Sequence, residues 1–354
     1  MSIPTPLHQL RTLSVMPTYK CTAECSHCGT LSGRSETSWL GLENMITAID
    51  QAAAQGDYRV VVFTGGEPTL AANDLFTAIR HAQSLGLSTR VVSNAYWAST
   101  SIQAERMIAK LIDAGLKEIN FSTGDEHARF VPLDNVVRAT AAAAASPLSA
   151  IVVMVETVRD RTITAKAIEA REDFAAIRST FPRKRLEVLE SPWMPLEPMK
   201  TNEYRDGSTI NRHNVATRTG CNSILSTTAI QADGRIGACC GLGMRTVPEL
   251  QVGRVGLTTI GEADHAAGED YLKRWIRVEG PERILAWAAT HEPSIEWEDM
   301  YAHRCQACMR LYKDPLVREV IAARYKEKIA DVLVGEWLLY NYAGEDATPN
   351  SHDI

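Results

Sequence analysis

Val60-Val61-Val62-Phe63-Thr64-Gly65-Gly66-Glu67-Pro68 runs from an unbroken apolar stretch straight into a glycine-rich loop. Four consecutive apolar residues, three of them β-branched, predict a strand buried on both faces. The two glycines let a backbone approach a ligand closely and leave peptide groups available for hydrogen bonds. The Glu67 carboxylate can accept from an ammonium group. Behind this loop Leu75, Ile79 and Ala82 recur at helical spacing, with Gly86 as a C-cap. The same alternation repeats outward. Strands are predicted at Leu13 to Met16, Arg90-Val91-Val92-Ser93, Ile119-Asn120-Phe121, Ile151 to Val155 and Leu186-Glu187-Val188-Leu189. A helix carrying Ile108, Leu111 and Ile112 stops at Gly115, and the alanine run at 139–145 is most simply another. Strands buried on both faces and joined by helices predict an α/β fold with a parallel sheet. Six such units, over residues 1–200, predict a partial (β/α)6 barrel of TIM type. In such folds the chemistry sits just past the C-terminal ends of the strands.

Cys21-Thr22-Ala23-Glu24-Cys25-Ser26-His27-Cys28 follows the first of those strands. Closely spaced thiolates suit iron–sulfur ligation, and a cluster of four irons held by three cysteines keeps one iron open. A structural zinc would call for four ligands and a closed shell. His27 could supply the fourth, but its neighbour Cys28 already points into the site.

Composition sets the outer bounds. The 354 residues are 45% hydrophobic and 23% charged, with a net charge of -6. That allows one large core plus a smaller second unit. A mildly acidic chain whose basic cluster, Arg183-Lys184-Arg185, reads as a solvated loop argues against a broad nucleic-acid surface. No apolar signal region precedes Cys21, and no stretch reaches the length of a membrane span. A cytoplasmic, reducing location is expected, with no membrane attachment. There the eight cysteines stay as thiols, and their clustering reads as metal or cluster ligation.

Cys-x3-Cys-x2-Cys after a first strand, with Gly65-Gly66-Glu67-Pro68 after the second, resembles the signature of the radical S-adenosylmethionine (SAM) superfamily. The resemblance implies that Cys21, Cys25 and Cys28 hold a 4Fe–4S cluster whose open iron chelates the amino and carboxylate groups of SAM. It implies that one electron, from an external donor such as a flavodoxin or ferredoxin, cleaves SAM to methionine and a 5'-deoxyadenosyl radical. That radical then removes a hydrogen atom from substrate. Gly65, Gly66, Glu67 and Pro68 would bind the methionine amino end of SAM. The family usually places an aromatic residue before the third cysteine; His27 stands there, and its imidazole can pack against adenine. Ser93 and Asn94 end the third strand, where relatives carry a small polar pair. Ser122 and Asp125 resemble a segment near the SAM ribose, and Glu156 ends the fifth strand. Asp125, Glu126 and His127 are candidates to supply a proton or hold substrate, with a solvated loop as the alternative.

Around residue 196 the texture changes. Residues 196–220 are rich in Pro, Asn, Thr, Arg and Gly and read as a long loop. Thr227 to Ala232, Asp233-Gly234 and Arg235 to Ala238 predict a hairpin with a tight two-residue turn. Residues 268–290 read as helical. Asp314-Pro315 opens a final helical region as N-cap and N1, running with a break to about Tyr342, and the last dozen residues are polar. Cys221, twelve residues, Gly234, four residues and Cys239 resemble the opening of a SPASM/Twitch extension. The further cysteine run of a complete SPASM region is missing, so the shorter Twitch form fits better. The resemblance implies a small α+β Twitch-like iron–sulfur domain over 201–315, followed by C-terminal helices and a tail over 316–354. Cys221, Cys239, Cys305 and Cys308 are assigned to a second, auxiliary 4Fe–4S cluster. Cys240 would face the opposite side of its strand. A four-cysteine zinc site is the alternative, and His303 is read as a surface residue.

Radical SAM proteins with this extension often modify ribosomally made peptides. The expectation is therefore an enzyme, an oxidoreductase or peptide-modifying maturase, that leaves a crosslink or other oxidative modification. A small-molecule metabolite is an alternative substrate, and a non-enzymatic iron–sulfur or zinc module is a third reading. With twenty residues ahead of Cys21, a leader peptide would be read by the barrel, by the C-terminal helices or by a separate leader-peptide-binding protein. Apart from Cys240 no cysteine is placed to donate a hydrogen atom, which favours net two-electron oxidation over epimerisation.

Overall fold

The computed structural model describes residues 10–342. Six strands alternate with helices: β1 (Arg11–Val15), β2 (Tyr58–Phe63), β3 (Ser88–Ser93), β4 (Glu118–Gly124), β5 (Ala150–Thr157) and β6 (Arg185–Pro192). They are parallel and lie in sequence order. The apolar runs explain this: Leu13, Val15, Val61, Phe63, Val91, Ile119, Phe121, Ile151, Val153 and Val155 are buried in one core. Helices cover the sheet. Ala72–Ser84 buries Leu75, Ala78, Ile79 and Ala82, and Ser101–Asp113 buries Ala104, Ile108 and Leu111. The alanine run lies in the helix Leu133–Ala144. Parallel strands in order, with helical crossovers, form a partial (β/α)6 barrel.

The sheet continues past β1. β7 (Thr227–Ile230) pairs parallel with β1, and β8 (Arg235–Gly237) and β9 (Gln251–Arg254) extend it antiparallel. The hairpin expected around Asp233-Gly234 is present, but its loop is longer than two residues. Gln231 N–H donates to the Arg235 carbonyl, so Ala232, Asp233 and Gly234 span the turn, with Gly234 at φ 83°. The Asp233 carboxylate accepts from the backbone and guanidinium of Arg235, which stabilises this three-residue form.

Residues 268–290, expected to be helical, hold the end of Ile260–Glu269 and the two helices Tyr271–Glu279 and Pro281–His291. Asp270 leaves the helix to cap Tyr271–Glu279, accepting from Leu272 and Lys273 N–H. Gly280, at φ 86°, and Pro281 begin the next. Asp314 caps Pro315–Arg324, and a 3-10 turn at Tyr325–Lys328 separates it from Ile329–Tyr342. The polar last dozen residues lie outside the described residues. No helix among the described residues is long and apolar enough to cross a membrane.

A second core gathers Met16, Tyr19 and Met194 with Trp275, Leu285, Met309, Val317 and Val332. A polar knot ties the barrel to the later helices. Asp264 takes the Arg11 guanidinium at 2.6 Å, the Tyr58 hydroxyl at 2.9 Å and the Thr228 hydroxyl at 2.6 Å. Asp264 thus joins β1, β2, β7 and the helix Ile260–Glu269. Removing one partner of such a little-exposed pair strands the other charge. Asp264→Ala is expected to cost about 3 kcal/mol, read from the urea denaturation midpoint; an unchanged midpoint would count against this knot.

Candidate active site

The loops after β1 and β2 lie against each other. Gly66 N–H donates to the Thr18 carbonyl and Glu67 N–H to the Lys20 carbonyl, each at 2.9 Å. A Cβ on Gly66 would sit 2.2 Å from the Lys20 oxygen, and one on Gly65 (φ 111°) 2.8 Å from the Thr18 oxygen. The glycines therefore first serve an approach between two backbones, which positions the cysteine segment.

That segment is built to receive a metal group. Cys21 Sγ accepts from Ala23 N–H at 3.4 Å and from Asn94 Nδ2 at 3.5 Å; Cys28 Sγ accepts from Ser32 N–H at 3.2 Å. Such bonds to sulfur favour the thiolate and tune a bound cluster. Burial pushes the thiols up, Cys21 to about 11 and Cys25 to about 12. Only a metal that displaces their protons would make ligands of them. Three half-buried sulfurs, two with N–H donors, fit a 4Fe–4S cluster with one open iron.

Glu67 turns inward. It is fully buried; its Oε1 accepts from Thr69 N–H, the Thr69 hydroxyl and the Ser93 hydroxyl, and its Oε2 accepts from Asn94 N–H. Burial raises its pKa and these hydrogen bonds oppose the rise. The carboxylate expected to meet an ammonium ligand instead locks the β2 loop to the end of β3. Pro68 begins the 3-10 turn behind it. Ser93 also accepts from Trp97 Nε1 at 3.0 Å. Asn94 reaches both Cys21 Sγ and, at 3.1 Å, the Thr22 hydroxyl.

Of the three titratable residues after β4, one faces the pocket. Asp125 accepts from Thr162 N–H at 3.1 Å, from the Thr162 hydroxyl and from Ile163 N–H at 3.3 Å, fastening the loop after β5. Glu126 accepts from the Ser26 hydroxyl and from Arg129, each at 3.1 Å, fastening the cysteine segment. These two carboxylates are committed to holding loops. His127 lies against His27, ring centroids 5.3 Å apart, and its Nδ1 is 3.7 Å from Glu156 Oε2. His27 Nε2 is in direct contact with the same carboxylate. Trp193, just past β6, packs on His27 at 4.4 Å between centroids, and the Arg161 guanidinium lies 4.8 Å from the Trp193 ring centre. Sequence reading missed Trp193 and Arg161; the strand-end rule applied to β6 would have found the first. Ser122, near the end of β4, is half-buried. Burial pushes His27 down to about 3 and His127 down to about 4, and pushes Glu156 up to about 8. Burial thus favours the neutral forms of both imidazoles and of the Glu156 carboxyl.

The second cysteine group forms beside it. Cys221 precedes β7, Cys239 and Cys240 follow β8, and Cys305 and Cys308 lie on the helix Arg304–Lys313. A Cβ on Gly241 would lie 3.1 Å from Cys305 Sγ and 3.6 Å from Cys239 Sγ, so glycine keeps that space open. His303, expected at the surface, is the helix N-cap: its Nδ1 accepts from Cys305 N–H at 3.1 Å. The Cys240 thiol meets the Ser223 hydroxyl at 3.4 Å. Burial pushes Cys239 up to about 12, and Cys305 and Cys308 well up. Tetrahedral zinc would draw its sulfurs to about 3.8 Å of one another. Among the described residues, the trio of potential ligand atoms lying within 4.8 Å of one another is His27, His127 and Glu156, with no cysteine in it. The two cysteine groups also touch. Gly243 N–H donates to the Gly29 carbonyl at 2.8 Å, Arg245 donates to the Thr30 and Leu31 carbonyls, and Leu242 fills the space where a Gly29 Cβ would stand.

Gly66→Ala is expected to cost about 2 kcal/mol by overpacking and to reduce the iron retained after anaerobic reconstitution. A wild-type denaturation midpoint with wild-type iron would contradict the crossing. Glu156 gives a pH signature. Its carboxyl is held near pH 8 when folded and ionises near the ordinary carboxylate value when unfolded, so its stabilisation is complete at low pH and is lost as pH rises through about 8. In SAM-free protein, Glu156→Gln should flatten the fall in Tm between about pH 5 and pH 8. An unaltered slope would show that the carboxyl is not held neutral.

The radical SAM superfamily model matches residues 15–124, from the end of β1 to the end of β4. No curated protein matches the chain. The structure of native anSMEcpe with bound AdoMet and Cp18Cys peptide is similar at a TM-score of 0.52 and 12% identity, covering 92% of this chain and 99% of that chain. Native anSMEcpe with bound AdoMet gives the same values. BtrN in complex with AdoMet and 2-DOIA has a TM-score of 0.46 at 11% identity, over 78% of this chain and 90% of that chain. The anSMEcpe likeness extends the shared fold across both cysteine groups. The family implies a 4Fe–4S cluster and SAM, and the cysteine segment after β1 has the donors for that cluster. The match to the radical SAM superfamily model thus takes in the cysteine segment, the Gly-Gly loop and the strands β2 to β4.

Proposed function

We propose that this chain is a radical SAM enzyme that generates a 5'-deoxyadenosyl radical and uses it to oxidise a ribosomally made peptide, leaving a crosslink or a related two-electron modification. The observation that carries this reading is the direct contact between the two cysteine groups at the barrel mouth, Leu242 and Gly243 against Gly29. Cys21, Cys25 and Cys28 would hold the first cluster. Cys221, Cys239, Cys305 and Cys308 would hold an auxiliary 4Fe–4S cluster, with Cys240 kept by Ser223. Gly65, Gly66 and Ser122 would border SAM. When bound, the first cluster and SAM supply the radical.

The chain's own residues supply the rest. Loss of a hydrogen atom followed by net two-electron oxidation releases one further electron and one proton. The second cysteine group lies under about 20 Å along the chain contact from Cys28 and is the place for the electron. The His127 imidazole, beside His27 and 3.7 Å from Glu156, is the place for the proton. The peptide reading is supported by the anSMEcpe fold, whose solved complex contains a peptide. An external flavodoxin or ferredoxin would deliver the first electron in a reducing, cytoplasmic setting, and a separate protein would present a leader peptide.

Anaerobic reconstitution tests this reading. About eight irons per chain are expected, falling to about four in a Cys305→Ala/Cys308→Ala double variant. That variant should still form 5'-deoxyadenosine and yield little modified peptide. About four irons in the wild type, or full product from the variant, would overturn the auxiliary cluster.

A further inference from the structure

The helix Tyr271–Glu279 forms one wall of the second cysteine group, and it presents buried cations there. Arg277 is 7% exposed, and its guanidinium donates to the Cys221 carbonyl at 2.8 Å. The same helix end receives Cys221 N–H on the Ile276 carbonyl at 3.0 Å, and a Cβ on Gly220 would lie 2.0 Å from the Arg277 carbonyl. Cys221 is thus clamped to this helix by its backbone on both sides. Lys273, four residues earlier and 3% exposed, lies on the same helix face. Its ammonium contacts Asp270, and its charge acts on Cys239.

Arg277 differs from the other buried cations nearby. Lys273 has Asp270, Arg304 has Glu282 at 3.7 Å and Arg310 has Asp314 at 2.8 Å. Among the described residues, the groups whose charge acts on Arg277 are Cys221 and Tyr340, with no carboxylate. A buried cation without a counter-charge costs several kcal/mol. Four neutral thiols would leave that cost standing. Four thiolates around a cluster with a core charge of about +2 carry a net charge of about -2, which is the missing counter-charge. Glu282, 2% exposed and paired with Arg304 at 3.7 Å, acts on Cys308 with the opposite sign.

We propose that Arg277, assisted by Lys273, is the counter-charge of the auxiliary cluster and raises its reduction potential, so that it accepts rather than donates an electron. A cation beside a reducible centre stabilises the more negative, reduced form. This inference rests on the auxiliary cluster proposed above, and the two fail separately.

The test is an EPR-monitored redox titration of the reconstituted full-length enzyme, with added SAM identifying the signal of the N-terminal cluster. Arg277→Gln should keep about eight irons and lower the auxiliary potential by about 59 mV or more, a tenfold change in the reduced-to-oxidised ratio. Arg277→Lys should restore most of the loss. Lys273→Gln should shift the potential the same way by a smaller amount, and it carries the test if Arg277→Gln loses its cluster. An unchanged potential in variants with both clusters intact would overturn the counter-charge role and leave the auxiliary cluster standing. Four irons, or zinc, in the wild type would overturn the cluster itself.

Discussion

Two backbones meet at the mouth of the barrel, where Gly65 and Gly66 cross Thr18 to Lys20 at a distance no side chain would allow. That contact sets the height of the cysteine segment above β1 and so the place where radical chemistry can begin. Glu67 holds it from below, with a buried carboxylate that gathers Thr69, Ser93 and Asn94. Asn94 then passes the constraint to Cys21 through its side-chain amide. Glycine, carboxylate and amide act as one support, which is why the Gly-Gly-Glu-Pro stretch matters before any ligand arrives.

The barrel was largely legible in the sequence because each strand is a short β-branched run and each helix repeats at helical spacing. Cys21, Cys25 and Cys28 were legible because cluster ligation demands their local spacing. What escaped was set by tertiary contact. Nothing in Asp125 or Glu126 as letters tells that Thr162 and Ser26 will take their carboxylates, while His127, next in line, turns to the pocket. Trp193 and Arg161 enter the pocket only because β5 and β6 end beside His27. The helical stretch over 268–290 breaks where Asp270 and Gly280 found better use as cap and positive-φ hinge than as helical residues.

The second cysteine group extends the same logic. β7 adds to the free edge of β1, so the later part of the chain continues the barrel sheet. That addition brings Leu242 and Gly243 onto Gly29 and sets the two cysteine groups side by side. Buried charges lie around the second group: Arg277 holds the Cys221 carbonyl, and Glu282 pairs with Arg304. Near the first group, His127 lies beside His27 and 3.7 Å from Glu156.

The most direct measurement is anaerobic 5'-deoxyadenosine formation by the reconstituted protein. Product that requires both SAM and a strong reductant, and that vanishes in Cys25→Ala while the fold persists by circular dichroism, is the predicted result. A fully iron-loaded protein that forms no 5'-deoxyadenosine, or one that forms it without Cys25, would contradict radical initiation at Cys21, Cys25 and Cys28.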